Sequence, residues 1–179
     1  MNTKEAWALV GGLSKPSKMP GWAYGLPAAE CKTGKKLVDV ENSVCSGCYA
    51  NKGCYVFAVV QAAQYRRLAA TKNPYWVDAM TTLINSKKAG EFRWHDSGDV
   101  QDPEHLLKIF EVCKNTPDKK HWMPTREGAW MGQGLSYPDW MWEGGAKVLE
   151  ELYISEHYGQ SEFDRNLFPV IATALGNPS

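Results

Sequence analysis

Segments typical of strands alternate with segments typical of helices along this sequence, and this order constrains the fold more than any other feature. Short apolar and aromatic runs predict three strands, at residues 21–26, 91–95 and 120–125. Runs of helix formers with apolar residues at helical spacing predict helices after these strands, at 55–71, 73–90, 102–115 and 146–153, and a last edge strand is predicted at 166–173. This order favours an α/β fold with a mostly parallel sheet, similar to half of a β/α barrel.

The length fits one domain, and we expect residues 1–179 to form a single α/β unit. Lys plus Arg and Asp plus Glu number 20 each, so the charge balance does not indicate a nucleic-acid partner. No apolar run reaches the roughly 20 residues that span a bilayer, and the first residues lack the pattern of a signal peptide. We therefore expect a cytoplasmic protein without a membrane partner. The sequence leaves the oligomeric state open.

Three loops with unusual composition each follow a predicted strand. They are the cysteine-containing stretch after the first strand, His95–Asp99 after the second, and Thr125–Glu127 after the third. The carboxyl ends of parallel strands lie at one edge of a sheet, and sites in such folds form there. We expect these loops to be neighbours and to share one site.

Four of the five cysteines crowd into the first loop, namely Cys31, Cys45, Cys48 and Cys54. In a reducing compartment such a group holds metal more often than disulfides, and thiolates favour zinc or iron-sulfur clusters. Three cysteines on a [4Fe-4S] cluster leave one iron free to bind another molecule. Cys54 either completes a four-cysteine site or faces elsewhere. Cys113 falls on the apolar face of its helix and is expected in the core.

The His95–Asp99 segment has two interpretations. It is either a strand exit with a glycine turn, or a site in which Ser97, amides near Gly98 and the Asp99 carboxylate bind a small polar or cationic ligand. A variant of the second makes His95, Asp96 and Asp99 ligands of a hydrolytic metal.

Arg126, at the end of the third strand, either pairs with a ligand carboxylate or pairs with Glu127 or Asp99. His121 is expected to be structural. Four further basic residues are expected to be solvated surface charges: Lys35, Lys36, Arg66 and Arg67.

Longer motifs surround these candidates. They are Leu26-Pro27-Ala28, Cys48-Tyr49-Ala50-Asn51-Lys52-Gly53, Phe92-Arg93-Trp94-His95-Asp96-Ser97-Gly98-Asp99 and Thr125-Arg126. Together they resemble a family of phage-encoded proteins known as the gene product eighty-eight family. More distantly, the cysteines after the first strand and the Gly-and-acid motif after the second are similar to the radical S-adenosylmethionine (SAM) enzymes.

The second resemblance implies a radical SAM-like fold in which one iron of the cluster chelates SAM. It assigns residues by position: Cys31, Cys45 and Cys48 to the cluster, Ser97, Gly98 and Asp99 to the SAM amine, and Tyr49 to the cluster loop. The spacing between Cys31 and Cys45 is longer than those enzymes have. A protein that kept the cluster without the radical chemistry, for electron transfer or redox sensing with a redox partner in the host cytosol, is the other form of this hypothesis. Whether the protein is an enzyme therefore stays open.

The rival hypothesis is a zinc-stabilised protein-binding module, in which the four clustered cysteines hold zinc and no redox chemistry takes place.

Overall fold

In the part of the chain that the structure describes, three short parallel strands form an open sheet. The computed structural model describes residues 1–127. Its strands are β1 (Trp22–Tyr24), β2 (Glu91–Trp94) and β3 (Lys120–Trp122). The central strand is β2, where Phe92 lies in register with Trp22 on one side and His121 on the other. The prediction of an α/β fold with a parallel sheet is confirmed at this level.

Five helices accompany the sheet in the described part of the chain: α1 (Thr3–Val10), α2 (Thr33–Lys36), α3 (Ala58–Ala70), α4 (Trp76–Asn85) and α5 (Pro103–Lys114). The three long helices predicted here are confirmed as α3, α4 and α5. The start of α5 follows its sequence signal, because the Asp102 carboxylate accepts the His105 backbone N–H at 2.7 Å.

The core lies between the sheet and α1, α4 and α5. Trp76 of α4 and Trp94 of β2 are fully buried with their ring centroids 6.0 Å apart. Cys113 is buried in the same cluster, as expected. His121 is structural, as expected, because its Nδ1 accepts the Trp94 indole N–H at 3.2 Å.

Helix α3 presents a polar face to the protein interior. Its buried residues are Gln64 and Arg67, whereas Val59 is 77% exposed. The prediction of Arg67 as a surface charge is wrong, since its Nε and Nη1 donate to the backbone carbonyls of Gly12 and Gly25 at 3.0 and 3.3 Å. Helix α3 is thus fixed to the interior by hydrogen bonds instead of an apolar stripe.

Two predicted elements, the helix at 146–153 and the strand at 166–173, lie outside the described residues. None of the helices within residues 1–127 has the length and apolar character needed to cross a membrane.

Candidate functional site

The loops that follow the three strands meet at the carboxyl edge of the sheet, as the strand order predicts. The loops after β1 and β2 are joined by a hydrogen bond from the Leu26 backbone N–H to the Ser97 carbonyl at 2.8 Å. Those after β2 and β3 are joined through Asp99, whose carboxylate accepts from the Thr125 hydroxyl at 2.6 Å and the Arg126 backbone N–H at 2.8 Å. The predicted site residues therefore share one region of the protein.

Two of the cysteines face the backbone of Gly34, the buried glycine of α2. A Cβ atom added at Gly34 would lie 3.4 Å from the Cys45 Sγ and 3.8 Å from the Cys31 Sγ. Both sulfur atoms therefore lie close to the same point beside the Gly34 backbone. The added Cβ would also lie 3.3 Å from the Cys31 Cβ. A side chain at position 34 would therefore take up space beside the two thiols that glycine leaves open.

Cys48 joins this pair electrostatically. Burial raises the pKa of Cys31 to about 12, with further contributions from the charges of Asp99, Cys48, Cys45 and Glu127. The other two thiols and the two carboxylates therefore lie close enough to Cys31 to disfavour its ionisation.

Arg126 supplies the opposing positive charge. Burial raises the pKa of Cys45, while the charge of Arg126 and a hydrogen bond from it act in the opposite direction. Arg126 therefore lies beside a thiol of the site, where its guanidinium stabilises negative charge. The sequence interpretations of Arg126 did not include a contact with a cysteine, and the structure adds this contact with Cys45.

Cys54 differs from these three cysteines in its exposure. It is exposed, on a short turn of 3₁₀ helix at Gly53–Val56. Its charge contributes to the raised pKa of Tyr55. We define the thiol site as Cys31, Cys45 and Cys48 together with the adjoining Asp99, Arg126 and Glu127 side chains.

Ser97 and Gly98 hold the loops after β1 and β2 together. The Ser97 hydroxyl donates to the Leu26 carbonyl and accepts from the Gln64 amide, both at 2.7 Å. Gly98 has a φ of +75°, and a Cβ there would lie 2.6 Å from the same Leu26 carbonyl oxygen. The contacts of these two residues thus fit the interpretation of the segment as a strand exit with a glycine turn.

Asp99 serves both the loops and the thiol site. Its Oδ1 accepts from the Val100 backbone N–H at 2.8 Å in addition to Thr125. Burial raises the pKa of Asp99 to about 6, although hydrogen bonds from Thr125, Arg126 and Val100 act to lower it. The carboxylate is therefore partly protonated near pH 6, next to the cysteines.

His95 and Asp96 point to different surroundings. The His95 ring is buried with its centroid 5.5 Å from that of His105, and its backbone is left-handed with φ 59°. Asp96 accepts from the Ser14 hydroxyl at 3.4 Å, and burial raises its pKa against the charges of Arg67 and Arg93. Within residues 1–127, no three His, Cys, Asp or Glu side chains are placed to hold a metal ion together. This applies to the hydrolytic trio and equally to the three cysteines of the thiol site, which would have to move closer to enclose a metal centre.

Sequence reasoning missed the part that Glu127, Thr33 and Gln64 play at this edge. The Glu127 carboxylate accepts from both the backbone N–H and the hydroxyl of Thr33, at 2.7 and 2.8 Å. Gln64 and Arg67 lie three residues apart in an alanine-rich helix and so share one face, but this spacing alone does not indicate that the face is buried.

Comparison with known proteins supports the first of the two resemblances. No curated protein and no solved structure matches the chain. One family model matches residues 2–140, most of the sequence, and its description is Gene product 88. The chain belongs to the Gene product 88 family.

Proposed function

We propose that this protein binds a [4Fe-4S] cluster through Cys31, Cys45 and Cys48 at the carboxyl edge of its sheet. The observation that carries the proposal is that the Cys31 and Cys45 thiols lie against the bare backbone of Gly34, with Cys48 near enough for its charge to act on Cys31. Soft thiolate donors suit iron-sulfur clusters and zinc. The finer fold proposal, a truncated radical SAM-like half barrel, follows from the same strand order.

The charges of the site support a bound cation. Cys31 and Cys45 have raised pKa values, and the Asp99 carboxylate adds negative charge beside them. A metal centre that binds here displaces the thiol protons and is stabilised by the resulting thiolates. The chain's part is to hold these donors, with the three cysteines half-buried and the Asp99 and Glu127 side chains buried.

When bound, such a cluster supplies one-electron chemistry and, with three cysteine ligands, one iron open to a further molecule. We propose SAM as the candidate for that position, with Arg126 binding its carboxylate and Asp99 facing its amine. The Asp99 Oδ2 accepts from the Arg126 backbone N–H, and its second lone pair is the acceptor proposed for the amine. Without SAM, the same centre would serve electron transfer with a redox partner in the host cytosol.

Metal analysis of protein purified without oxygen tests the cluster. Iron, acid-labile sulfide and zinc are measured with the visible spectrum in the wild type, C45A and C54A. We expect about four irons and four sulfides per chain in the wild type and in C54A, and loss of both in C45A. Loss in C54A as well would make Cys54 a fourth ligand. One zinc per chain without colour would replace the proposal by the zinc-stabilised binding module.

Equilibrium dialysis of SAM against the cluster-loaded protein tests the open iron. We expect binding in the wild type and a loss of about tenfold or more in R126M, because a charge-assisted bidentate pair is removed. R66M, which changes an exposed arginine of α3, is the matched control. A loaded wild-type protein that does not retain SAM would assign the cluster to electron transfer or redox sensing instead.

A further inference from the structure

The segment that carries the cysteines has little regular structure of its own. From Cys31 to Phe57 it contains the single helical turn of α2 and two short 3₁₀ turns. Its internal hydrogen bonds are local, such as those of Ser43 with Leu37 and Ser46. A segment of this kind has large conformational freedom, so side chains that attach it to the sheet determine where its thiols lie.

One attachment joins the start of the segment to the loop after β3. The two hydrogen bonds from Thr33 to the Glu127 carboxylate are short, and Glu127 is only 4% exposed. Thr33 lies two residues after Cys31 and next to Gly34. The Thr33–Glu127 hydrogen bonds therefore fix the backbone next to Cys31. They also fix the backbone of Gly34, against which the Cys31 and Cys45 thiols lie.

A second attachment joins the other end of the segment to β2. The Tyr49 hydroxyl donates to the Asp96 carbonyl at 2.6 Å and accepts from the Arg93 Nη2 at 2.9 Å. Tyr49 directly follows Cys48. Arg93 is itself held in place, since its guanidinium lies 4.5 Å from the Trp122 ring centroid.

We propose that Glu127 and Tyr49 are positioning residues that fix the backbone beside Cys31 and Cys48, so that the three thiols need little rearrangement to enclose a metal centre. The inference rests on the proposed function, because it assigns the two attachments to metal loading. Neither residue needs to touch the metal centre. Each residue restricts the conformations of the backbone beside a cysteine. The conformational entropy of this backbone is then lost during folding, so its loss does not weaken the binding of the metal centre.

Cross-linking of the metal-free, reduced protein tests the positioning itself. Dibromobimane joins two neighbouring thiols and becomes fluorescent, and peptide mapping identifies the cysteines joined. We expect cross-links among Cys31, Cys45 and Cys48 in the wild type, and several-fold slower formation in Y49F and E127A. The controls Y75F and E104A change an exposed tyrosine and an exposed carboxylate away from the site and should match the wild type. Equal rates in all five proteins would overturn the proposal.

The rate of cluster loss to a chelator tests the link to metal binding. We expect loss about tenfold faster or more in Y49F and E127A, which is the effect of removing a side chain that orients ligands. E127Q separates geometry from charge, because its amide can still accept from the Thr33 N–H and donate to the Thr33 hydroxyl. It should retain the wild-type rate, and a rate equal to that of E127A would show that charge, not position, is what Glu127 supplies.

The two assays distinguish failure of the proposed function from failure of the positioning proposal. A wild type that binds no metal overturns the proposed function, while the cross-linking rates still report whether the attachments position the thiols. Thermal unfolding of each metal-free variant excludes global destabilisation as the cause. Variants that unfold at the wild-type temperature and yet cross-link slowly support the proposal.

Discussion

Replacement of Gly98 by alanine should be one of the most damaging single-methyl changes in this protein. Gly98 has a φ of +75°, and its added Cβ would lie 2.6 Å from the carbonyl oxygen of Leu26 and 2.7 Å from its Cβ. The left-handed backbone costs a non-glycine residue about 1–2 kcal/mol. Forcing an extra carbon into a close-packed position adds about 1–3 kcal/mol. We expect the free energy of unfolding to fall by about 2–5 kcal/mol.

Two other glycines separate these contributions. Gly53 has a φ of +58° with nothing within 4 Å of an added Cβ, and Gly90 has an equally open position. Gly53→Ala should therefore lose only the backbone contribution of about 1–2 kcal/mol, and Gly90→Ala should change stability by about 0.5 kcal/mol or less.

Equilibrium unfolding in urea, followed by circular dichroism, measures all three variants under the same conditions. A Gly98→Ala loss no larger than that of Gly53→Ala would refute the steric argument. Losses as small as that of Gly90→Ala in both variants would refute the backbone argument as well.

Acid should destabilise the protein through its buried histidines. Burial lowers the pKa of His105 and of His121 to about 4, so the unfolded chain takes up protons first and stability falls from about pH 6.5 towards pH 4. Each histidine lowers the free energy of unfolding by about 1.4 kcal/mol per pH unit in this range. Below about pH 6 the folded protein takes up a proton at Asp99, whose pKa burial raises to about 6, and this offsets the effect of one histidine. Urea midpoints that do not change between pH 7 and 4.5 would contradict this. In the metal-free protein, Cys31, with its pKa near 12, should react with iodoacetamide at pH 8 at least about tenfold more slowly than exposed Cys54, and equal rates by mass spectrometry would count against the burial of Cys31.

The sequence was sufficient for elements with a local signal. Helix α5 begins where Asp102 and Pro103 place its cap, and the strands follow their short apolar runs. Helix α1 was missed although Asn2 and Glu5 form a capping box, a signal as local as the others.

The interior face of α3 could not be predicted in the same way. Val59 is one of the apolar residues at helical spacing that predict this helix, yet it is exposed, while Gln64 and Arg67 are buried. These polar side chains are stabilised inside by partners in distant parts of the sequence, such as Ser97 and the Gly12 carbonyl. Their burial depends on tertiary hydrogen bonds that hydrophobic periodicity does not encode.

For the candidate site, the sequence predicted where the three loops meet better than it predicted what the individual side chains do there. Strand order alone brings the three loops together, since parallel strands end at one edge. The roles of Ser97 and Gly98 depend on a close approach to Leu26, and the contact of Glu127 with Thr33 joins residues far apart in sequence. Such contacts are set by the packing of whole elements, so a single sequence gives little signal for them.

The pairing of β1 with β2 has a consequence for how the protein matures. Trp22 lies opposite Phe92, so this contact closes a long loop in the chain, and Cys31, Cys45 and Cys48 all lie within that loop. Non-local pairing of this kind forms slowly, because the loop's entropy is lost before the contact repays it. During synthesis the cysteines leave the ribosome well before the strand that organises them, and Glu127 emerges later still. Under the proposed function, a metal centre delivered before β3 is translated would therefore meet thiols that are not yet positioned.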